Sequence, residues 1–281
     1  TFDEMSLSKR ITFDQVNQQI IGPHNHVQVA FIRGLTGKWK QPVYYDYDRP
    51  MTTEILSDII VSVEKAGYKV VSVTCDLGGE NRSVWNSLGI SPNKSTFPNP
   101  HDQTRDIYVF GDAPHLLKLA RNHFLSKGFV DSKGTVMTPQ CLKEILNLQH
   151  SDLKVAFKLK NEHIYVTNKQ NVKLAAQLMS NCTSKAVKFL GEKGLLLDST
   201  WNSTADMIAL FNDWFDIFNS QTACKNIPEK CGYGIHIEKQ LNILDKMSYF
   251  IQNILVCGKK SLLPFQKGIL ITNKSLKEMF A

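Results

Sequence analysis

The chain has 281 residues, a net charge of +7 at pH 7 and an isoelectric point near 9.0. Its hydrophobic fraction of 42% and charged fraction of 21% are typical of a globular protein with a sizeable core, and its length suits two domains. The apolar runs are too short to cross a bilayer and no cleavable signal pattern precedes them, so we expect neither a membrane protein nor a secreted one. The excess positive charge favours a polyanionic partner such as nucleic acid.

The first third of the chain alternates between strand and helix patterns. Short strands with turn residues between them predict an antiparallel meander at residues 1–7, 9–15 and 26–35. Apolar residues at helical spacing predict a helix from Thr52 to Ala66, which Gly67 ends. A strand that is apolar on both faces (68–76), a helix (80–88) and another strand (105–112) follow. This order predicts a mixed sheet covered by helices.

The spacing of apolar residues is different from about residue 130 to residue 260. Apolar residues there recur three and four apart, which predicts helices near residues 140–149, 171–181, 204–220 and 237–255. Residues 264–273, PFQKGILITN, are strand-like again. We therefore expect a helical insertion after which the chain returns to the sheet. Because both ends of the sequence fall inside predicted elements, we expect an excerpt of a longer protein.

The six cysteines form no CxxC pair and have no regular spacing. This usage suits a reducing compartment, the cytosol or the nucleus, and of these we expect the nucleus. Cys224, Cys231 and His236 could form a metal knuckle, because thiolates and imidazole suit zinc. A loop with two free thiols is the favoured interpretation, since a fourth ligand and the usual short spacing are missing.

Asp76 occupies the last position of a buried strand, just before a turn. In the predicted arrangement the first strand lies beside this one, which puts Asp3 next to Asp76. Adjacent carboxylates repel each other unless a cation lies between them, and oxygen ligands favour Mg²⁺ or Mn²⁺ over zinc. An aspartate before glycines also commonly closes a turn through its side chain. Spacing alone does not select the pair, because comparable positions are held by Asp46, Asp48 and Asp112.

Several long motifs resemble the P-element transposases and their THAP-domain relatives in animals. In chain order they are FDEMSL, VQVAFIRGLTGKWKQPVYYDYD, GYKVVSVTCDLGGENRSVWNSLGIS, IYVFGDAPHLLKLARNHFLSKG, NDWFDIFNS and LPFQKGILITN. The resemblance implies an α/β fold, with an RNase H-like mixed sheet and a mostly α-helical insertion domain that binds GTP. We expect the RNase H-like catalytic domain at residues 1–128, the insertion at 129–260 and a return toward the first domain at 261–281.

The resemblance selects Asp3 and Asp76 as the first two metal-binding acids of a DDE/DDD-type DNA transposase, with Mg²⁺ or Mn²⁺ as cofactor. The family's third acid, a Glu, has no counterpart and is expected beyond residue 281. The THAP domain and the segments for self-association are also expected outside this chain. We therefore expect the full-length protein to cleave and join DNA at transposon ends and target, and the chain alone to be inactive.

Two other functions are compatible with the same motifs. The main alternative is a domesticated, non-catalytic descendant of a transposase that binds DNA, GTP or protein partners. A nuclease that processes RNA hybrids shares the expected fold, but the long helical insertion disfavours it.

The nucleotide site follows from the resemblance alone. No GxxxxGK[ST] loop is present, because GLTGKWK lacks both the spacing and the hydroxyl residue. Matching the family's motifs gives Asp152, Lys158, Ser180, Phe215, Asp216 and Asn219 as the residues expected to bind GTP. Lys158 suits a phosphate, Phe215 a stacked base and Asp216 the guanine edge. The alternative for NDWFDIF is an ordinary amphipathic helix that places Trp214 and Phe218 in the core.

One position departs from the family pattern. Asn171 stands where the family has a second phosphate-facing lysine, unless Lys169 or Lys173 replaces it. Basic residues also suggest a DNA path, because Lys and Arg neutralise phosphates. They are Lys9, Arg10, Arg33, Lys38 and Lys40 near the meander, followed by Lys118, Arg121 and His123 on one helix. A solvated helix face that covers the sheet is an equal alternative for the second group.

Overall fold

The computed structural model describes residues 1–35, 37, 39–148, 154–220 and 226–280. The chain divides into two compact units, Thr1–Asp112 and Ala113–Ala281. The domain limits predicted at residues 128 and 260 separate functional domains, whereas the two compact units are defined by packing. The predicted limits therefore stay predictions. Across the described ranges, no helix combines the length and the apolar character that crossing a bilayer requires.

The first unit contains an antiparallel sheet in the order β1-β4-β5. β1 (Phe2–Ser6) pairs with β4 (His26–Arg33), which pairs with β5 (Lys40–Tyr47). The strand predicted at residues 9–15 exists, but its place in the meander is wrong. Its residues contribute β2 (Thr12–Asp14), which pairs with β3 (Gln19–Ile21) in a separate hairpin between β1 and β4. The middle strand of the three-stranded sheet is therefore β4.

Helix α1 (Thr53–Lys65) confirms the helix predicted after the meander. Thr52 caps its first turn, because the hydroxyl oxygen accepts from the backbone N–H of Ile55 at 3.3 Å. Gly67 has a φ of +91° just after the helix, a left-handed conformation that is cheap only for glycine.

A second three-stranded sheet has the order β6-β8-β7. β6 (Ser72–Cys75) and β8 (Asp106–Gly111) run parallel, helix α2 (Gly79–Ser87) follows β6, and β7 (Thr96–Pro98) is antiparallel to β8. This strand, helix and strand order is the predicted one. β1 lies next to β6, and no hydrogen-bonded ladder is formed between them in the described part of the chain.

A buried carboxylate ties the end of α1 to the loop between β7 and β8. Glu64 accepts hydrogen bonds from the Val70 N–H, Asn99 Nδ2 and Arg105 Nη2, each at 2.8 Å. Its side chain is only 6% exposed. Although burial favours the neutral acid, these donors hold the pKa of Glu64 below its ordinary value. The ionised carboxylate is therefore a structural part of this unit.

The second unit is mostly helical. The described helices are α3 (Ala113–Ser126), α4 (Gln140–Leu148), α5 (Asn161–Ile164), α6 (Val172–Leu178), α7 (Asn181–Glu192), α8 (Trp201–Phe218), α9 (Ile237–Gln252) and α10 (Pro264–Phe280). A small antiparallel sheet has the order β10-β9-β11, from β9 (Phe129–Asp131), β10 (Val136–Met137) and β11 (Ile254–Val256). Helix α8 packs against α3, α7 and α9, so it forms the centre of the unit.

The strand predicted at residues 264–273 is wrong, because this segment belongs to α10. Pro264 begins the helix, where a missing N–H costs nothing. The run Ile269, Leu270 and Ile271 is strand-like in sequence, but all three side chains are buried as α10 packs against α3 and α9. Burial between helices therefore outweighs the β-propensity of this run.

Candidate functional site

Asp76 lies directly after β6, at the turn into α2. Its Oδ1 accepts hydrogen bonds from the Gly78 N–H at 2.9 Å and from Asn81 Nδ2 at 2.7 Å. The turn-closing interpretation therefore applies to this side chain. Asn81, which the sequence gave no reason to select, fixes the orientation of the carboxylate. Such outer donors are what order a carboxylate before it binds a metal ion.

Asp3, on β1, and Asp76 both affect the pKa of Cys75, the last residue of β6. Burial raises the pKa of the Cys75 thiol to about 12, and the charges of Asp76 and Asp3 both add to the rise. Both carboxylates are therefore near this thiol. Among the described residues, no group of three His, Cys, Asp or Glu side chains is arranged to hold a metal ion. The shared metal ion stays a prediction.

Strand register places basic residues on the face that carries Asp3. Asp3 is opposite Val29, and Arg33, four residues along β4, is opposite Lys40. Opposed residues share a face of a sheet, and so do residues an even number apart along a regular strand such as β4. The register with β5 shifts by one residue between Ala30 and Phe31, so residues of β5 on either side of the shift can share that face although an odd number of residues separates them. Tyr45 is also opposite Val29, and it is 68% exposed. Arg33 and Lys40 are exposed, whereas Lys38 lies outside the described residues.

The predicted continuation of the DNA path along α3 is wrong, because its cations are buried in the second unit. Arg121 is 0% exposed, and its Nη2 donates to the carbonyls of Lys169 and Asn171 at 3.2 and 3.3 Å. Lys118 is 6% exposed and donates to a glutamine of the same loop. His123 stacks on a buried phenylalanine of α10. Lys118 and Arg121 hold the loop before α6 and are inaccessible to DNA phosphates, whereas His123 is half-buried and takes part in helix packing.

Three of the six predicted nucleotide-binding residues lie on the last turns of α8. Phe215 is half-buried and Asn219, the C-cap, is exposed. The side chain of Asp216 is 18% exposed, and its Oδ2 lies 3.8 Å from the Nζ of Lys230. Burial raises the pKa of Asp216 above its ordinary value, although the Lys230 charge and a hydrogen bond from Asn212 oppose the rise. Trp214 is buried, so the same helix also contributes to the hydrophobic core, as the amphipathic interpretation predicted for this residue.

Asn212 joins Asp216 to the start of α7. Its Oδ1 accepts from the backbone N–H of Asn181 at 3.1 Å, and its Nδ2 donates to Asp216 Oδ2 at 3.1 Å and to Asp213 Oδ1 at 3.1 Å. Ser180, the N-cap of α7, directly precedes Asn181. The structure thus brings two predicted positions together through a residue that the sequence did not indicate. The available signal was spacing, since Asn212 lies one helical turn before Asp216.

A chain of contacts extends from Ser180 toward the segment after Lys158. Ser180 Oγ accepts from the Thr183 N–H at 3.4 Å, and Thr183 Oγ1 donates to the Gln177 carbonyl at 3.1 Å. The Gln177 side chain contacts His163 Nε2 at 3.0 Å. This chain fixes α5 and the N-terminus of α7 relative to each other.

Lys158 itself is exposed, and its Nζ lies 5.5 Å from the centre of the Phe157 ring. Its ammonium group is therefore accessible to an anion. In the described ranges, Lys158 forms no hydrogen bond or ion pair with Asp216 or Ser180. Asp152, the remaining predicted position, lies outside the described residues.

Asn171 has a structural role in this chain. Its Oδ1 accepts from the Leu174 N–H at 3.1 Å, which caps α6. Lys169 and Lys173 on either side of it are exposed. Either of these lysines remains available to replace the family's second phosphate-facing lysine.

A glutamine amide organises the loop that contains Cys231. Gln240 Nε2 lies within 3.3 Å of the carbonyls of residues 228, 231 and 232, and its Oε1 accepts from the Gly234 N–H at 2.9 Å. The Cys231 thiol is buried and contacts the Ile227 carbonyl at 3.3 Å. Cys224, the other thiol of the predicted metal knuckle, lies outside the described residues, so the knuckle stays untested.

Two family models match the chain. The one described as "TNP-like, RNase H N-terminal domain" matches residues 1–89, and the one described as "TNP-like, GTP-binding insertion domain" matches residues 114–231. The Transposable element P transposase of Drosophila melanogaster is 39% identical over 284 residues, which cover 99% of this chain and 37% of that protein. The DNA transposase THAP9 of Homo sapiens is 27% identical over 263 residues, which cover 88% of this chain and 29% of that protein.

A solved structure gives the same result at the level of the fold. A chain of the Drosophila P element transposase strand transfer complex matches with a TM-score of 0.91 and 38% sequence identity, over 99% of this chain and 63% of that chain. The predicted fold, an RNase H-like mixed sheet with a helical insertion, is confirmed. The chain spans 37% and 29% of the length of the two curated relatives.

Proposed function

The chain belongs to the family of P-element transposases, and from this membership we propose that it supplies the RNase H-like catalytic part and the GTP-binding insertion of a DNA transposase. The full-length transposase cleaves DNA at transposon ends and transfers the cut strand to a target, whereas the chain alone does neither. The observation that carries the proposal is an RNase H-like fold in which β1, the strand of Asp3, lies next to β6, the strand that ends directly before Asp76.

Mg²⁺ or Mn²⁺ would be held by Asp3 and Asp76. The nearby Cys75 thiol is buried and accepts a hydrogen bond from Trp85 Nε1 at 3.1 Å, so it is engaged with the core and the proposed donor set consists of oxygens. Carboxylate oxygens suit hard divalent ions. When bound, a pair of such ions activates the attacking oxygen and stabilises the leaving one. The role of this chain is to hold the two carboxylates in fixed positions.

DNA would lie along the sheet face that carries Asp3. Arg33 and Lys40 supply cations there, and the exposed rings of Phe31 and Tyr45 supply stacking surface beside them. Cations with interleaved aromatic rings suit a nucleic-acid strand, because phosphates need neutralisation and bases stack. Weak, salt-sensitive binding of DNA by the chain alone is the expected behaviour.

GTP would be bound at the C-terminal end of α8 and the N-terminus of α7. The Asp216 carboxylate can accept two hydrogen bonds from the N1 and N2 donors of guanine, which adenine does not offer in that arrangement. Phe215 can stack on the base, and Lys158 can pair with a phosphate. Ser180, Asn219 and Asp152 complete the proposed set.

Nucleotide titration tests the GTP site directly. The purified chain should bind GTP more tightly than ATP, and Asp216→Ala should weaken GTP binding by about 5- to 150-fold, the factor for roughly 1 to 3 kcal/mol from an unpaired polar group. Asp216→Asn should shift the preference toward xanthosine triphosphate, because an amide N–H matches the carbonyl that replaces the 2-amino group of guanine. Equal affinity for GTP and ATP would refute the site.

A cleavage assay separates the proposed enzyme from its non-catalytic alternative. The full-length protein should nick transposon-end DNA with Mg²⁺ or Mn²⁺, and Asp3→Ala or Asp76→Ala should abolish the nicking. Intact DNA with the unmodified full-length protein would favour the domesticated, non-catalytic descendant. Nicking by the 281-residue chain would show that an acid inside it, with Asp112 the first to test, completes the metal site. A nuclear location and self-association through segments outside this chain also form part of the proposal.

A further inference from the structure

The amide of Asn212 has three hydrogen bonds that fix its orientation. Its oxygen faces a backbone N–H, that of Asn181, and its nitrogen faces two carboxylates, those of Asp213 and Asp216. The reverse orientation would point the NH₂ group at an N–H donor and the carbonyl oxygen at two negative oxygens. The amide therefore occupies one rotational state, and both carboxylates are held by it.

This contact decides which way the Asp216 carboxylate faces. Asn212 and Asp216 lie four residues apart on α8 and so share one face of the helix. The amide holds Oδ2 of Asp216, and among the described residues no hydrogen bond reaches Oδ1. Lys230 approaches the same Oδ2 at 3.8 Å, but its side chain is 50% exposed, and an ion pair of this kind restrains a carboxylate weakly. The dominant restraint on the carboxylate plane is therefore Asn212.

A guanine base needs such a restraint. Its N1–H and N2–H groups point in parallel from one edge, so both bonds form only when the two carboxylate oxygens lie in the plane of the base. A carboxylate that rotates freely loses entropy when it binds, and pre-orientation removes that cost. The Asn212 amide has a second effect. Asp213 and Asp216 are both partly buried, and the hydrogen bonds from the amide partly offset the cost of removing the two carboxylates from water.

We propose that Asn212 is a positioning residue for guanine recognition, which locks the Asp216 carboxylate to the N-terminus of α7 so that it reads the N1 and N2 donors together. The inference rests on the proposed GTP-binding function, since Asp216 is its base-reading residue. It assigns no contact between Asn212 and the nucleotide.

The test measures the affinity of the chain for GTP, ATP and inosine triphosphate, which lacks the 2-amino group. Asn212→Ala removes the restraint, and Asn212→Asp keeps the size and the Asn181 contact but turns a donor into a charge that repels Asp216. Asn202→Ala, at an exposed position of the same helix, is the matched control. Thermal melting of each variant checks that the fold is retained.

Both Asn212 variants should bind GTP about tenfold more weakly, while the affinity for ATP changes little. The ratio of GTP affinity to inosine triphosphate affinity should also shrink, because an unrestrained carboxylate pairs with the 2-amino group less often. A purely structural role would weaken all three nucleotides equally and leave that ratio unchanged. Asn202→Ala should behave as the unmodified chain.

The outcomes separate the two proposals. If Asp216→Ala removes the preference for GTP and the folded Asn212 variants retain it, the role of Asn212 is refuted and the GTP site stands. If the unmodified chain does not prefer GTP over ATP, the site and the inference that rests on it both fail. If Asn212→Ala does not fold, the Asn212→Asp titration decides.

Discussion

Trp214 of α8 donates its indole N–H to the Oδ1 of Asn273 in α10 at 2.7 Å, and both side chains are fully buried. The Nδ2 of Asn273 donates in turn to the Leu244 carbonyl at 3.3 Å and to Ser248 Oγ at 3.0 Å, both in α9. One buried amide therefore joins three helices. The helix that carries Phe215 and Asp216 owes its position partly to a residue about 60 positions away.

Asn273→Leu should destabilise the second unit by about 1 to 3 kcal/mol, because the buried indole N–H of Trp214 loses its acceptor. Urea unfolding followed by circular dichroism measures the loss. The double variant Trp214→Phe with Asn273→Leu should recover part of it, since no orphaned donor remains. A single variant as stable as the unmodified chain would show that the hydrogen bond contributes nothing.

Gly191→Ala should lower stability, which reverses the usual effect of this change inside a helix. A Cβ at Gly191 in α7 would lie 2.2 Å from the indole ring of Trp201. Overpacking of this kind costs about 1 to 3 kcal/mol, more than the gain in helix propensity. Gly79→Ala is the matched control, because its nearest neighbour is a flexible Arg82 atom at 3.9 Å. Restoration by Trp201→Leu in the Gly191→Ala background would confirm the clash.

The first unit should lose stability in acid through Glu64. The folded pKa of this carboxyl is lowered, so its contribution is complete above the unfolded value near 4.5 and is lost as the pH falls through the folded pKa. Glu64→Gln should lower the melting midpoint of this unit at pH 7 by about 4 to 8 °C, the shift for roughly 1 kcal/mol in a domain of this size. The difference should shrink in melts at pH 3. A constant difference at both pH values would contradict the linkage.

Asp216→Asn should stabilise the second unit at pH 7, whereas Glu64→Gln should destabilise the first. Because burial raises the folded pKa of Asp216, the ionised carboxylate costs stability at pH values above its unfolded value near 3.8. Below that value the acid is protonated in both states, and the variant should match the unmodified chain. Asp206→Asn on the same helix is the control, since this exposed acid pairs with Lys188 at 2.6 Å and gains nothing from neutralisation. If Asp216→Asn is less stable than the unmodified chain at pH 7, the ionised carboxylate does not cost stability and the prediction is wrong.

Metal binding should depend on Asn81 as well as on the two acids. Asp3→Asn and Asp76→Asn should each weaken Mn²⁺ binding, and Asn81→Ala should weaken it by about 10-fold or more, because outer-shell donors order the ligands. Electron paramagnetic resonance of free Mn²⁺ measures the affinity. Asp58→Asn, at an exposed position of α1, should have no effect. Equal weakening by Asp58→Asn would indicate nonspecific attraction by surface charge.

Local signals identified part of the fold from the sequence. The ends of α1 follow from Thr52 and Gly67, whose effects depend only on neighbouring residues. The α10 segment was misassigned because its apolar run fits a strand as well as a helix, and only packing against α3 and α9 decides between them. Arg121 and Lys118 were misassigned for a similar reason, since the loop that buries them lies about 50 residues away.

The candidate sites were predictable to the extent that they follow family motifs. Asp3, Asp76 and Asp216 were named from the sequence, whereas Asn81 and Asn212 were not, although each contacts one of these acids at 2.7 to 3.1 Å. An asparagine that orients a carboxylate has no composition signal of its own, and the helical spacing of Asn212 from Asp216 is shared by many pairs that make no contact. Its role depends on distance and direction, which strand and helix packing determine.

The buried Asn273 also limits where the helical unit can be cut. The family model for the insertion ends at residue 231, but the acceptor for Trp214 comes from α10 and its other partners come from α9. A fragment that stops at residue 231 would expose the apolar side of α8 and leave the indole without a partner. Autonomous folding of the insertion should therefore require the chain to continue through α10, so that release or misplacement of α10 would also displace the proposed nucleotide-binding residues of α8.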